Sequence, residues 1–280
     1  MLKLMYITNN SEIAKIAENV GVDRIFIDME YIGKTLRQGG MDTVQSHHTI
    51  NDIKKIKCSI NKSKIIVRCN PIHESTSDYC SSKEEINDII KSGADIIMLP
   101  FFKTKDEVQT FINIVDKRVK TLLLFETKEA VENVNDILSI EGIDEVFIGL
   151  NDLSLSYGMS FMFDLLANGT VENLCSIFRT HKLSYGFGGI ARIGNGALPA
   201  EYIIKEHYRL GSSCVILSRS FCDINKINNI DNVKEIFEIE LNKIRELELE
   251  CSKYDSNNEY FLDNQEKLKK IVNEIDGVVA

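Results

Sequence analysis

Short apolar runs of strand length alternate with amphipathic stretches of helix length through the first 220 or so residues, each unit spanning about 25 to 35 residues. The runs fall at 2–7, 24–27, 64–67, 96–99, 121–125, 146–148, 184–190 and 215–217. The stretches between them carry apolar side chains three and four apart, as Ile13, Ile16, Ala17 and Val20 do, or Ala130, Val131, Val134, Ile137 and Leu138. Helix starts are expected at Ser11, Ser82 and Thr104, and stops at Gly21 and Gly93. Strand, helix, strand in sequence makes parallel strands joined by right-handed crossovers. Eight such units predict an α/β protein, a (β/α)8 TIM barrel. An open doubly wound sheet is the alternative, but no G-x-G-x-x-G follows the first run. Beyond residue 223 the chain turns polar and helical, with Ile236, Ile239, Leu241, Ile244, Leu247 and Leu249 in one long stripe. Helices over 231–251 and 258–275 exceed what one barrel needs. The expected division is a barrel over 1–223 and a helical extension over 224–280 that packs on a neighbouring subunit.

Charge narrows the partners. With 33 basic and 42 acidic residues the net charge is −9, which argues against nucleic acid, whose phosphates require a basic face. No apolar run approaches a membrane span, and the start MLKLMYITNN lacks the apolar core of a signal peptide. The seven cysteines, at 58, 69, 80, 175, 214, 222 and 251, form no C-x-x-C pair. That usage fits buried thiols in a cytoplasmic protein better than a disulfide framework or a zinc site.

The chemistry concentrates between residues 120 and 158. Two strands there end in carboxylates, Glu126 after the first and Asp152 after the second. Parallel strands bring both to the C-terminal edge of the sheet, where α/β folds bind ligands. Two carboxylates, with the remaining positions left to water or substrate, suit Mg2+ or Mn2+. The plainer reading makes Glu126 a first-turn helix carboxylate and Asp152 a turn or cap residue. Both stay open at this level.

The segments GVDRIFIDMEY, IIVRCNP, GADIIMLPFFKT, FETKEAVENVNDIL and IEGIDEVFIGLNDLSLSYG resemble successive motifs of the HpcH/HpaI aldolase and citrate lyase superfamily. The likeness runs in register from about Gly21 to Gly158 and more loosely to residue 222. It implies a TIM-barrel class II pyruvate aldolase that forms or cleaves a C–C bond beside a pyruvate enolate on a sugar-acid type of 2-keto acid. Glu126 and Asp152 would then ligate a divalent metal, Mg2+ or Mn2+, with Co2+ a further option. Arg68 would bind the pyruvyl oxygens and stabilise the enolate, with Glu30 and Asn151 as further substrate contacts. The partners implied are a small 2-keto acid and an aldehyde, and a homo-oligomer, trimer or hexamer, that exchanges its C-terminal helix. Arg68 could instead be a simple ion-pair partner of Asp28 or Glu30. No lysine stands at a strand end where a Schiff base would form.

Two departures from the family pattern follow. The family places a histidine after the second strand to assist proton transfer, and here the residue is Tyr31. Tyrosine, with an ordinary pKa near 10, is a poor base at pH 7. His47 and His48, at the end of the polar stretch from Gly33, are the candidates to replace it. Secondly, Arg192 and Arg219 follow strands seven and eight among glycines, where TIM barrels often bind phosphate. They point to a polar or phosphorylated acceptor, or else to ion pairs with acidic helices. Alternatives to the aldolase are a lyase acting on an acyl-CoA or phosphoenolpyruvate-type substrate with the same metal site, and a catalytically retired barrel that binds a keto acid.

Overall fold

A computed structural model describes residues 1–34, 46–224, 227 and 229–279. The eight strands are β1 (Lys3–Ile7), β2 (Arg24–Asp28), β3 (Lys64–Arg68), β4 (Ile96–Leu99), β5 (Lys120–Phe125), β6 (Glu145–Ile148), β7 (Ser184–Ile190) and β8 (Cys214–Leu217). They pair in chain order, all parallel, and β8 returns to β1 to close the barrel. The helices are α1 (Ser11–Asn19), α2 (Ile50–Ser59), α3 (Ser82–Lys91), α4 (Lys105–Val115), α5 (Lys128–Glu132), α6 (Val134–Leu138), α7 (Leu150–Ser156), α8 (Asp164–Ala167), α9 (Thr170–Thr180), α10 (Ala200–Leu210), α11 (Ile230–Cys251) and α12 (Glu259–Val279). Among the described residues no helix is long and apolar enough to cross a membrane.

The caps explain where helices begin. Asn10, not Ser11, caps α1, its side chain accepting from the amides of Glu12 and Ile13. Ser81 caps α3 in a reciprocal box with Glu84, one residue before the expected Ser82. Thr104 and Glu107 form the same box at α4, as its sequence suggests. The single helix expected over 128–138 is two short ones broken at Asn133.

Inside the barrel Met5, Phe26, Ile66, Ile96, Met98, Leu122, Leu124, Phe147 and Cys214 form a packed inner layer. A buried ion pair, Arg24 Nη2 to Glu145 Oε1 at 2.7 Å, joins the first residues of β2 and β6 at its N-terminal end. The larger core lies between strands and helices.

The helices beyond residue 223 pack on this chain's own barrel. Helix α11 follows β8 and packs on α1 and α10, the slot of a barrel's eighth helix. Its Val233, Phe237, Leu241 and Ile244 are buried in this chain's own core, with Phe237 set edge-on against Tyr6 and Phe221. Glu248 accepts from the Leu2 amide and the Tyr208 hydroxyl, tying the helix to the start of β1 and to α10. Leu241 and Ile244 of the apolar stripe are therefore used within the chain, while Ile239 and Leu249 stay exposed. The seven connections between successive strands hold α1 to α10, so the helix that follows β8 lies beyond residue 223. Helix α12 is the additional one, lying on α10 and α8.

Candidate functional site

Parallel pairing brings Asp28, the last residue of β2, directly beside Arg68, the last of β3. Two carboxylates so close to one guanidinium set the local chemistry. Arg68 donates from Nε and Nη2 to the two oxygens of Asp28, each at 2.8 Å, and its Nη1 lies 3.2 Å from Glu30. This fork-to-fork geometry fixes the plane of the guanidinium. Lys34 completes the balance, its Nζ 2.8 Å from Asp28 and 3.6 Å from Glu30. Burial alone would raise the Asp28 carboxyl, but Arg68 and Lys34 outweigh it and hold it well below the usual carboxylate range. Burial likewise disfavours the Arg68 cation, and Asp28 and Glu30 more than offset that. Lys34 is a functional-region residue that the sequence reading missed. Its signal was arithmetic: two carboxylates, Asp28 and Glu30, with one nearby arginine leave a second cation to be found.

Across the mouth, Glu126 follows β5 and is 2% exposed. The Phe101 amide donates to its Oε1 at 2.9 Å from a backbone held at φ +49°. That left-handed conformation costs a residue with a β-carbon on the order of 1 kcal/mol. Gly149, at the end of β6, makes room for the carboxylate, since a Cβ there would stand 2.9 Å from Glu126 Oε2. Asp152 sits in the first turn of α7, a helix absent from the sequence reading, with Asn151 beside it. Gly188, at φ +51° in the irregular stretch of β7, keeps the same floor clear, because a Cβ would meet Leu150 at 2.7 Å.

Arg68, Glu126, Asn151 and Asp152 all line one cavity of about 230 Å3, with Met98, Leu124 and Phe147 as its apolar base. It adjoins a larger one of about 540 Å3, which Arg68 and Asn151 also line together with Thr8, Asn9, Asp28, Lys34, His48, Ser218 and Arg219. Arg68 is 14% exposed at its side chain, so its guanidinium is pinned from behind yet open to both.

The remaining expected residues separate. His48 is buried and lines the larger cavity; His47 is exposed and lies parallel to the Tyr31 ring, centroids 6.1 Å apart. Tyr31 lines neither cavity, its amide and that of Ile32 being tied to Asn70 Oδ1. Burial, with Asp28, Asp52 and Glu85 nearby, pushes its hydroxyl up to about 12. Arg219 stands exposed at the rim of the larger cavity. Arg192 instead donates from Nε to the Phe221 carbonyl at 2.6 Å, joining the loops after β7 and β8, and lines neither cavity. Most of the polar stretch from Gly33, residues 35–45, lies outside the described residues.

Among the described residues no three His, Cys, Asp or Glu converge as a closed metal cage. The donor set of Glu126 and Asp152 still fits a hard dication, which takes one or two protein carboxylates and completes its shell with water and substrate oxygens. The cradle at Gly149 that admits the Glu126 carboxylate agrees with that fit.

Residues 3–164 match the HpcH/HpaI aldolase/citrate lyase family, well over half of the chain. The chain belongs to this family. The curated relatives it is similar to include the hydroxypyruvate/pyruvate aldolase of Rhizorhabdus wittichii, 27% identical over 143 residues, covering 39% of this chain and 57% of that protein. The 2-keto-3-deoxy-L-rhamnonate aldolase of Escherichia coli O17:K52:H18 is 24% identical over 181 residues, covering 54% of this chain and 60% of that protein. The chain thus matches somewhat over half the length of these curated relatives. A crystal structure of an HpcH/HpaI aldolase/citrate lyase family protein from Burkholderia cenocepacia J2315 superposes with a TM-score of 0.61 at 14% identity, covering 83% of this chain and 94% of that one. That likeness bears on the barrel alone.

Proposed function

We propose that this chain is a divalent-metal-dependent aldolase or lyase that forms or cleaves a C–C bond next to the enolate of a 2-keto acid of sugar-acid type. The observation that carries the reading is the meeting of Arg68 with Glu126 and Asp152 around one small cavity at the C-terminal mouth. Glu126 and Asp152 would hold Mg2+, Mn2+ or Co2+, and the ion when bound supplies Lewis acidity to a keto oxygen. Arg68, kept charged and oriented by Asp28 and Glu30, faces the place where negative charge grows as C3 loses a proton or its bond to C4. The adjoining cavity, lined by Asn9, Ser218 and Arg219, suits a polar aldehyde. The names of the two curated relatives, one for hydroxypyruvate and pyruvate and one for a 2-keto-3-deoxy sugar acid, agree with the keto-acid half of this reading.

Deuterium exchange at pyruvate C3 with Mg2+, Mn2+ or Co2+ tests it without knowledge of the aldehyde. Exchange is expected with at least one ion and is expected to fall by about 10²-fold or more in Glu126→Gln and Asp152→Asn. Exchange that survives both substitutions places the chemistry elsewhere. Assembly into a homo-oligomer, trimer or hexamer, belongs to the same proposal, and Ile239, Leu249 and Leu262 remain exposed on α11 and α12 to serve it. Sedimentation at micromolar concentration is expected to show it; a monomer would refute it.

A further inference from the structure

The larger cavity holds a histidine whose hydrogen bonding decides what it can do. Strand β1 leaves its pairing with β2 after Thr8 donates to the Phe26 carbonyl. The next inward amide on that edge, that of Asp28, is taken by a side chain: it donates to His48 Nδ1 at 3.0 Å. An amide has only a proton to offer, so Nδ1 carries none, and the neutral ring bears its proton on Nε2. Turning the ring over would set a carbon against a buried amide, which costs about 1–3 kcal/mol. The neighbouring Thr49 caps α2 in a box with Asp52, so the backbone carrying His48 is fixed as well.

Protonating Nδ1 would place two donors face to face, and burial further lowers the tendency of the ring to charge. Lys34 and His47 act in the same sense, Asp28 and Asp52 oppose it, and the charged groups across the cavity are Arg68, Arg219 and Asp223. Nε2, on the opposite edge of the ring, has no protein partner among the described residues, and the residue lines the cavity.

We propose that His48 serves as a fixed neutral hydrogen-bond donor, presenting Nε2–H to the aldehyde oxygen of the acceptor, and does not titrate as the general base. The inference rests on the keto-acid reading of the site. As the enolate carbon bonds to the aldehyde carbon, the carbonyl electron pair moves onto oxygen, where Nε2–H meets the developing charge. The oxygen takes its proton from water, and that proton replaces the one released from C3, so His48 keeps its own. Cleavage runs the same path backwards. This differs from the titrating histidine that the polar loop suggests from sequence.

The tautomer can be read directly by 15N NMR on histidine-labelled protein, with His48→Gln assigning the signal. From about pH 5.5 to 8 the Nδ1 resonance is expected at an unprotonated position and Nε2 at a protonated one. An Nδ1–H tautomer, or a ring that titrates near its ordinary value of about 6.5, overturns the proposal. In addition of pyruvate to D-glyceraldehyde with Mn2+, His48→Gln keeps a donor that cannot shuttle protons. It is expected to retain turnover within about tenfold, while His48→Ala loses about 10²-fold or more. Both variants are expected to keep pyruvate C3 exchange, which also reports that they fold. A glutamine variant as inactive as the alanine one, or an alanine variant as active as the parent, would overturn the role. Absent exchange in the parent protein removes the keto-acid reading itself, and the role inferred on it, whatever tautomer the ring shows.

Discussion

Two arginines are bound by carboxylates inside this barrel, one at each end. Arg24 opens β2 and reaches Glu145, at the start of β6, among the inner-layer side chains Met5 and Cys214, with side-chain exposures of 5% and 3%. Arg68 closes β3 and is gripped by Asp28 and Glu30, yet it faces two cavities. The local chemistry is nearly the same and the surroundings are opposite. A sealed pair contributes register and an end to the core; its charges have nothing to act on. An open pair offers a substrate a cation whose orientation has been set beforehand. The comparison explains why an ion-pair partner and an enolate-binding residue are not rival descriptions of Arg68. It is held by Asp28 and Glu30, and that holding is what would make it effective.

The largest expected effect on stability lies at the sealed end. Arg24→Ala should cost about 3–5 kcal/mol in urea unfolding, because it strands a buried Glu145. Replacing both partners, as Arg24→Met with Glu145→Leu, should recover most of that loss, since two desolvated charges leave together. If the double variant is as unstable as the single one, the pair does more than fill and seal the barrel.

A smaller effect is expected at the open end and depends on pH. The folded Asp28 carboxyl lies below its unfolded value, so its stabilisation is complete above about pH 4 and is lost as pH falls toward the folded value. Asp28→Asn should therefore cost about 1–3 kcal/mol at pH 7 and progressively less below pH 4. A stability difference that stays constant down to pH 3 would show that Asp28 is not the anion that Arg68 and Lys34 hold.

Much of this was legible in the chain. Periodicity placed all eight strands, the parallel rule put Glu126 and Asp152 at one mouth, and the family resemblance added Arg68. What the sequence left open has physical reasons. The long stripe of α11 reads the same whether it covers a neighbouring subunit or its own barrel, and Phe237 against Tyr6 and Phe221 shows that one face of the helix covers the barrel. The short α7 after β6 lacks the length for a periodic signal, so Asp152 read as a turn residue. Adjacent histidines in a polar stretch are equivalent on paper. The free amide at the end of β2 distinguishes them, and it selects His48. Lys34 was hidden because its role depends on the charge of neighbours brought together by the fold.

The central claim is that the open arginine acts on substrate and the sealed one does not. Pyruvate C3 deuterium exchange with Mn2+, normalised to the folded fraction, compares Arg68→Ala with Arg24→Ala under one set of conditions. The account predicts a loss of about 10³-fold for Arg68→Ala, roughly 4 kcal/mol of transition-state stabilisation, and a change within a few-fold for Arg24→Ala. Equal exchange in the two variants would contradict it.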